Sequence, residues 1–175
     1  MKQAQDELRA AYLGGVPGVA VSGLVWLVAG LVWDARGPGT AFIALFFGGI
    51  AIFPLSLAVA RAFGAKPASK TNPLNALGFE TTVPLFAGLF VAYALIGRDP
   101  PLAFALFAAI VGARYFAFAT LYRDRTYWVL GGVMMAVGYV AAIKAALLPL
   151  NVAICIGAVE FVFAAILAAR HRARA

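Results

Sequence analysis

Six mostly apolar stretches, each near the length needed to cross a bilayer, are separated by short segments that hold nearly all the charge. They run over about 11–33, 41–63, 80–97, 101–122, 127–147 and 150–169, the third being the shortest. A spanning helix needs about 20 consecutive apolar residues, which rise about 1.5 Å each. The linkers carry turn chemistry. DARGPG (34–39) and GRDPP (97–101) are Gly/Pro turns, and RDRT (123–126) and LPLN (148–151) are tight connections. The longest, GAKPASKTNPLNALGF (64–79), places Asn72 before Pro73. That pair reads as an N-cap and a first helical position, which predicts a short interfacial helix. The pattern predicts an all-α polytopic membrane helix bundle: a single transmembrane domain over residues 1–175, with six transmembrane helices paired as three hairpins.

Charge placement predicts the orientation. Lys2, Arg9, Arg61, Lys66, Lys70, Arg123, Arg125, Arg170, Arg172 and Arg174 fall on one side, and only Arg36, Arg98 and Lys144 on the other. Short loops rich in lysine and arginine stay in the cytoplasm, so both termini are expected there. Tyr12, Tyr122, Tyr127 and Trp128 then fall at the inner interface and Trp33 at the outer, where amphipathic rings prefer to sit. The N-terminal MKQAQDELRAAYLGG lacks the basic start of a secretory signal, because Asp6 and Glu7 interrupt it, and is expected to be retained.

Composition agrees with the pattern. Hydrophobic residues make up 64% of the chain and charged residues 12%, about half the share usual in a soluble domain. The net charge of +7 sits in loops between spans, which fits topology signals and anionic headgroups and argues against nucleic acid. One cysteine, Cys155, and one histidine, His171, cannot build an ordinary Cys/His metal site. There is no phosphate loop, no HExxH and no nucleophile beside a histidine; VSG (21–23) alone does not make a hydrolase. The chain is therefore expected not to be an enzyme and to need no cofactor or metal. The expected partners are the lipid bilayer, a small polar solute and a second copy of the chain.

An internal repeat supports the hairpins. PGTAFIALFFGGIAIFPLSLAVAR (38–61) aligns without gaps on PPLAFALFAAIVGARYFAFATLYR (100–123), and YLGGV (12–16) echoes VLGGV (129–133).

The candidate chemistry lies in the spans. Arg114 is nine residues before Arg123, and Glu160 ten before Arg170. At about 1.5 Å per residue both sit about 13–15 Å from the inner boundary, near the midplane. A charge there costs at least about 2.5–3.5 kcal/mol, so opposite charges at one depth are expected to pair. Ala153, Gly157, Ala164 and Ala168 surround Glu160 at helical spacing and would let another helix approach. Glu80, which opens the third span, is the second candidate partner of Arg114. Pro17, Pro54 and Pro84 each free a backbone carbonyl four residues earlier, so Glu80, Thr81, Thr82 and Ser56 could line a cytoplasmic vestibule. Local re-satisfaction of those carbonyls is the plainer alternative.

FPLSLAVARAFG (53–64), NPLNALGF (72–79) and IVGARYFAFATLYR (110–123) resemble a group of bacterial six-helix membrane proteins defined as a domain of unknown function. The resemblance implies a fold and the bacterial inner membrane but no activity. It also implies that histidine often stands at the position of Arg114. TAFIALFFGGIAIF (40–53) and AICIGAVEFVFAAI (153–166) are more loosely similar to the urea and amide channel family, which would place Glu160 in a pore. Two functions stay open: a small-solute channel or transporter built on a midplane Arg/Glu polar element, or a non-transporting structural or accessory protein in which the same pair clasps helices.

Overall fold

The computed structural model describes residues 1–173, so Arg174, counted above among the basic residues, lies outside them. The described chain is helical throughout: α1 (Lys2–Ala11), α2 (Val16–Arg36), α3 (Pro38–Ala62), α4 (Asn75–Glu80), α5 (Val83–Leu95), α6 (Pro100–Tyr122), α7 (Thr126–Lys144) and α8 (Val152–Arg172). Six helical segments among the described residues are long and apolar enough to cross a membrane: Leu13–Arg36, Pro38–Ala62, Asn75–Leu95, Pro100–Tyr122, Thr126–Leu147 and Val152–Arg172.

Local chemistry explains the boundaries. Leu13, Gly14 and Gly15 all adopt positive φ, which ends α1 sharply and lets α2 start on Pro17 in its first turn. Gly37 (φ 86°) ends α2, and Pro38 opens α3 at once. The Asp99 carboxylate accepts from the Leu102 backbone N–H at 3.0 Å and caps α6 ahead of two prolines. Asn151 caps α8 by accepting from Ile154 N–H at 3.1 Å. Its amide also donates to Gly30 O (3.0 Å) and Asp34 (2.9 Å), which joins α8 to the far end of α2.

The third span departs most from expectation. It starts at Asn75 rather than near 80 and is two helices, α4 and α5, interrupted at Thr81 and Thr82. Asn72 is not the cap of the short helix. Its Oδ1 accepts from Leu74 N–H at 3.0 Å in a local turn, and α4 starts three residues past it as the first segment of that span.

The core is built on two tight helix pairs. A Cβ on Gly157 would come within 2.8 Å of Gly23 O, so α2 and α8 meet backbone to backbone. A Cβ on Gly131 would lie 2.6 Å from Gly112 O, and one on Gly138 2.7 Å from Ala105 O, which does the same for α6 and α7. Close approach through small residues is the usual solution where lipid supplies no hydrophobic drive between helices. Trp26, Phe104, Tyr127, Leu130, Met134 and Ile156 fill the centre. Helices α3 and α5 are peripheral, packed chiefly on α2 and α6 respectively. Only 11% of each one's most apolar stretch is buried, against 50% for α2.

Both ends of the described chain meet at one end of the bundle, where His171 abuts Gly14. There α1, an amphipathic helix, lays Leu8 against Leu74 and Leu121, donates from the Gln5 amide to Thr120 O (2.6 Å), and holds Asp6 3.5 Å from Arg123. The linker before α4 is tied to it: Asn72 donates to Ala4 O and Glu7, both at 3.0 Å, and Ser69 N–H donates to Glu7.

Candidate functional site

The two charges expected to neutralise each other do not. Among the described residues, ion pairs join Arg123 to Asp6 and Arg170 to Asp124 (3.3 Å); none joins Arg114 to Glu160 or to Glu80. The cause is the azimuth of α6. Its buried stripe runs through Phe104, Ala108, Val111 and Tyr115 at spacings of three and four, facing the bundle. Arg114 is one residue off that stripe, about 100° around the helix, and turns toward the third span.

Glu160 is fully buried on α8, with 0% exposure. Its Oε1 accepts from the Ser22 hydroxyl of α2 at 2.9 Å and from the Tyr115 hydroxyl of α6 at 2.5 Å. Oε2 has no partner. One carboxyl thus ties three helices in the middle of the bundle. Small neighbours make room for it: Ala153, Gly157 and Ala164 face inward, and the place a Gly23 side chain would need is taken by Glu160 Cβ, Phe161 and Gly157 O. Tyr115 in turn stacks on Tyr127, whose hydroxyl donates to Gly14 O at 2.6 Å.

Arg114 belongs to a second, separate constellation. Its Nε–H donates to Thr81 Oγ1 at 3.3 Å and an NH2 hydrogen to Thr82 Oγ1 at 3.4 Å, with the guanidinium carbon 5.0 Å from the centre of the Phe118 ring. Both hydrogen bonds are at the long end of useful geometry. A guanidinium has five N–H donors, and no carboxylate among the described residues answers them. The cation is held by two hydroxyls and an aromatic face, half-buried, at the interruption between α4 and α5.

The expected vestibule is only partly assembled. Thr81 and Thr82 converge on Arg114, but Glu80 is exposed at the end of α4. The Ser56 hydroxyl donates to Phe53 O of its own helix at 2.8 Å. Pro84 does not kink a continuous span; it sits in the first turn of α5, where a missing N–H costs nothing. Two cavities stand out, and neither reaches Glu160. The larger, about 590 Å³, is an apolar groove between α3 and α5, lined by Phe42, Phe46, Phe47, Phe86 and Phe90 with Tyr93 and two aliphatic neighbours. The smaller, about 320 Å³, opens at the opposite end of the bundle from the termini, beside Trp33, Pro101 and Asn151.

Ser22 and Tyr115 were missed by sequence reasoning. A signal existed for Ser22: it is the one hydroxyl on the α2 stripe of Val19, Gly23, Trp26, Ala29 and Gly30. Tyr115 was hidden by its charged neighbour. No curated protein and no solved structure matches the chain, so the looser similarity to urea and amide channels gains no support. The family model that does match is defined only as a family of unknown function, DUF7010, and it covers residues 1–170, which makes this chain a member of that family.

Proposed function

We propose that the protein is a small-solute channel or transporter of the bacterial cytoplasmic membrane, and that its solute carries a negative charge met by Arg114. One observation carries this reading: a guanidinium within a span, half-exposed, has two weak hydroxyl acceptors and no counter-ion among the described residues. A cation at such depth is costly, and its usual justification is a pathway or binding site. Thr81 and Thr82, just before α5, add two hydroxyls to the same spot. With the basic loops in the cytoplasm, Arg114 is reached from the inner leaflet, about 12 Å above the end of α6.

Glu160 supports a different role. Full burial between close-packed backbones, with two hydroxyls on one oxygen, favours the structural reading for this residue: it is a clasp joining α2, α6 and α8. The polar element expected as one Arg/Glu unit is thus read as two parts, a solute-facing cation and a fixed carboxyl.

Reconstitution tests this. Purified protein in liposomes is assayed for entry of acetate, phosphate and chloride. Arg114→Gln should lower entry of the accepted anion about tenfold or more, as expected for loss of a charged hydrogen bond of about 1.5–3 kcal/mol. Glu160→Gln should retain it. If Arg114→Gln conducts like the unaltered protein, Arg114 is not the solute group and the transport reading falls.

A further inference from the structure

The apolar groove and the Arg114 site are continuous along one helix. Thr82, Phe86, Leu89 and Tyr93 follow one another at spacings of three and four, so one stripe of α5 runs from the hydroxyl that meets Arg114 up into the groove. Register across α5 and α6 agrees: Ile110 packs on Gly88, and Arg114, one turn along α6, meets Thr81 and Thr82. A cation thus sits at the foot of a slot walled by phenylalanines from α3 and α5, two helices that leave most of their apolar surface uncovered.

Resting on the reading of Arg114 as an anion site, we propose that the solute is an amphiphile, an anionic phospholipid whose head is met partway across the membrane. Its phosphate is held by Arg114, Thr81 and Thr82, and an acyl chain lies in the groove between α3 and α5. Two observations select this occupant over a second copy of the chain or a free anion. The groove lining is aromatic and aliphatic, with the Tyr93 hydroxyl its one polar side-chain group and no charge to hold a water-soluble ion, and its volume of about 590 Å³ lies in the range of ligand sites. Arg114 is the one cation in the sequences of α5 and α6, and it meets the stripe at its lower end, which matches a molecule with one charged head and one apolar tail.

Native mass spectrometry tests this on the full chain in micelles with equimolar phosphatidylcholine and phosphatidylglycerol. The unaltered protein should retain one phosphatidylglycerol, preferred about tenfold over phosphatidylcholine, and Arg114→Gln should bring that preference to near one. Leu89→Trp, which fills the groove but leaves the cation, should reduce retention of both lipids. Melting curves identify any variant that misfolds; Thr82→Val then replaces Arg114→Gln and should weaken the preference severalfold. Equal retention of the two lipids by the unaltered protein, or a preference untouched by Arg114→Gln, overturns the proposal. So does displacement of the lipid by millimolar inorganic phosphate, which would mark a free-anion site. A dimer that dissociates on Leu89→Trp with no lipid retained overturns it in favour of a second copy. Anion flux that depends on Arg114 without phosphatidylglycerol retention would sink the lipid assignment and leave the anion site standing; loss of both would sink the two together.

Discussion

At the scale of single residues, the polar groups divide by what they would leave behind if removed. Glu160→Leu strands the Ser22 and Tyr115 hydroxyls in an apolar interior, where each unmet group costs about 1–3 kcal/mol. Glu160→Gln keeps a carbonyl oxygen for both. Thermal unfolding in detergent should therefore show a melting point lowered by several degrees for Leu and little changed for Gln. Tyr115→Phe removes one of the two bonds and should fall between, at about 1 kcal/mol or less, since interhelical hydrogen bonds in membranes average about 0.6 kcal/mol. Arg114→Gln should barely alter stability, because the two bonds it loses are long and Thr81 keeps its own bond to Gly78 O. Equal destabilisation by Arg114→Gln and Glu160→Leu would mean that the cation is structural after all. The sequence showed that both charges were buried deep in spans, because depth follows from counting residues to a boundary. It could not show which way each faced. Arg114 and Tyr115 differ by one residue in depth but by about 100° in direction, and direction alone decides that Tyr115 meets Glu160.

At the scale of elements, adjacent glycines on α7 provide an internal control. Gly131→Ala places a methyl group 2.6 Å from Gly112 O, backbone that cannot swing aside, and should cost about 1–3 kcal/mol by overpacking. Gly132→Ala meets nothing within 4 Å and should be neutral or slightly stabilising. Denaturation of the two variants in parallel checks the pair; similar losses would mean that α6 and α7 do not touch as described. Five of the six spans were legible because hydrophobicity ends where Gly/Pro turns or charged residues begin. The third was not, because the break at Thr81 and Thr82 lies just before Pro84, which in sequence reads equally as a kink inside one span, and Asn72, with the composition of a cap, spends its side chain on Leu74 and on α1 instead. Tertiary contacts overrode the local signal there.

For the whole molecule, the expected side of each loop is open to direct measurement. With Cys155 replaced by Ala, a cysteine introduced at Arg98 should react with a membrane-impermeant maleimide added to intact cells, and one at Lys66 only after lysis. The reverse pattern would invert the topology and move Arg114 toward the outer leaflet. The overall arrangement of hairpins could be anticipated because short linkers force neighbours in sequence to be neighbours in space. The closest backbone approaches, α2 with α8 and α6 with α7, could not all be anticipated that way, since α2 and α8 lie at opposite ends of the chain and meet through Gly23, Gly30 and Gly157.

The outlying position of α3 and α5 has a dynamic consequence. Each leans mainly on a single neighbour, so either can swing outward while Ser22, Tyr115 and Glu160 stay joined. Local opening requires less free energy where fewer buried contacts must break. Backbone amides of these two helices should exchange deuterium well before those of α2, α6, α7 and α8, like two doors hung on a rigid frame.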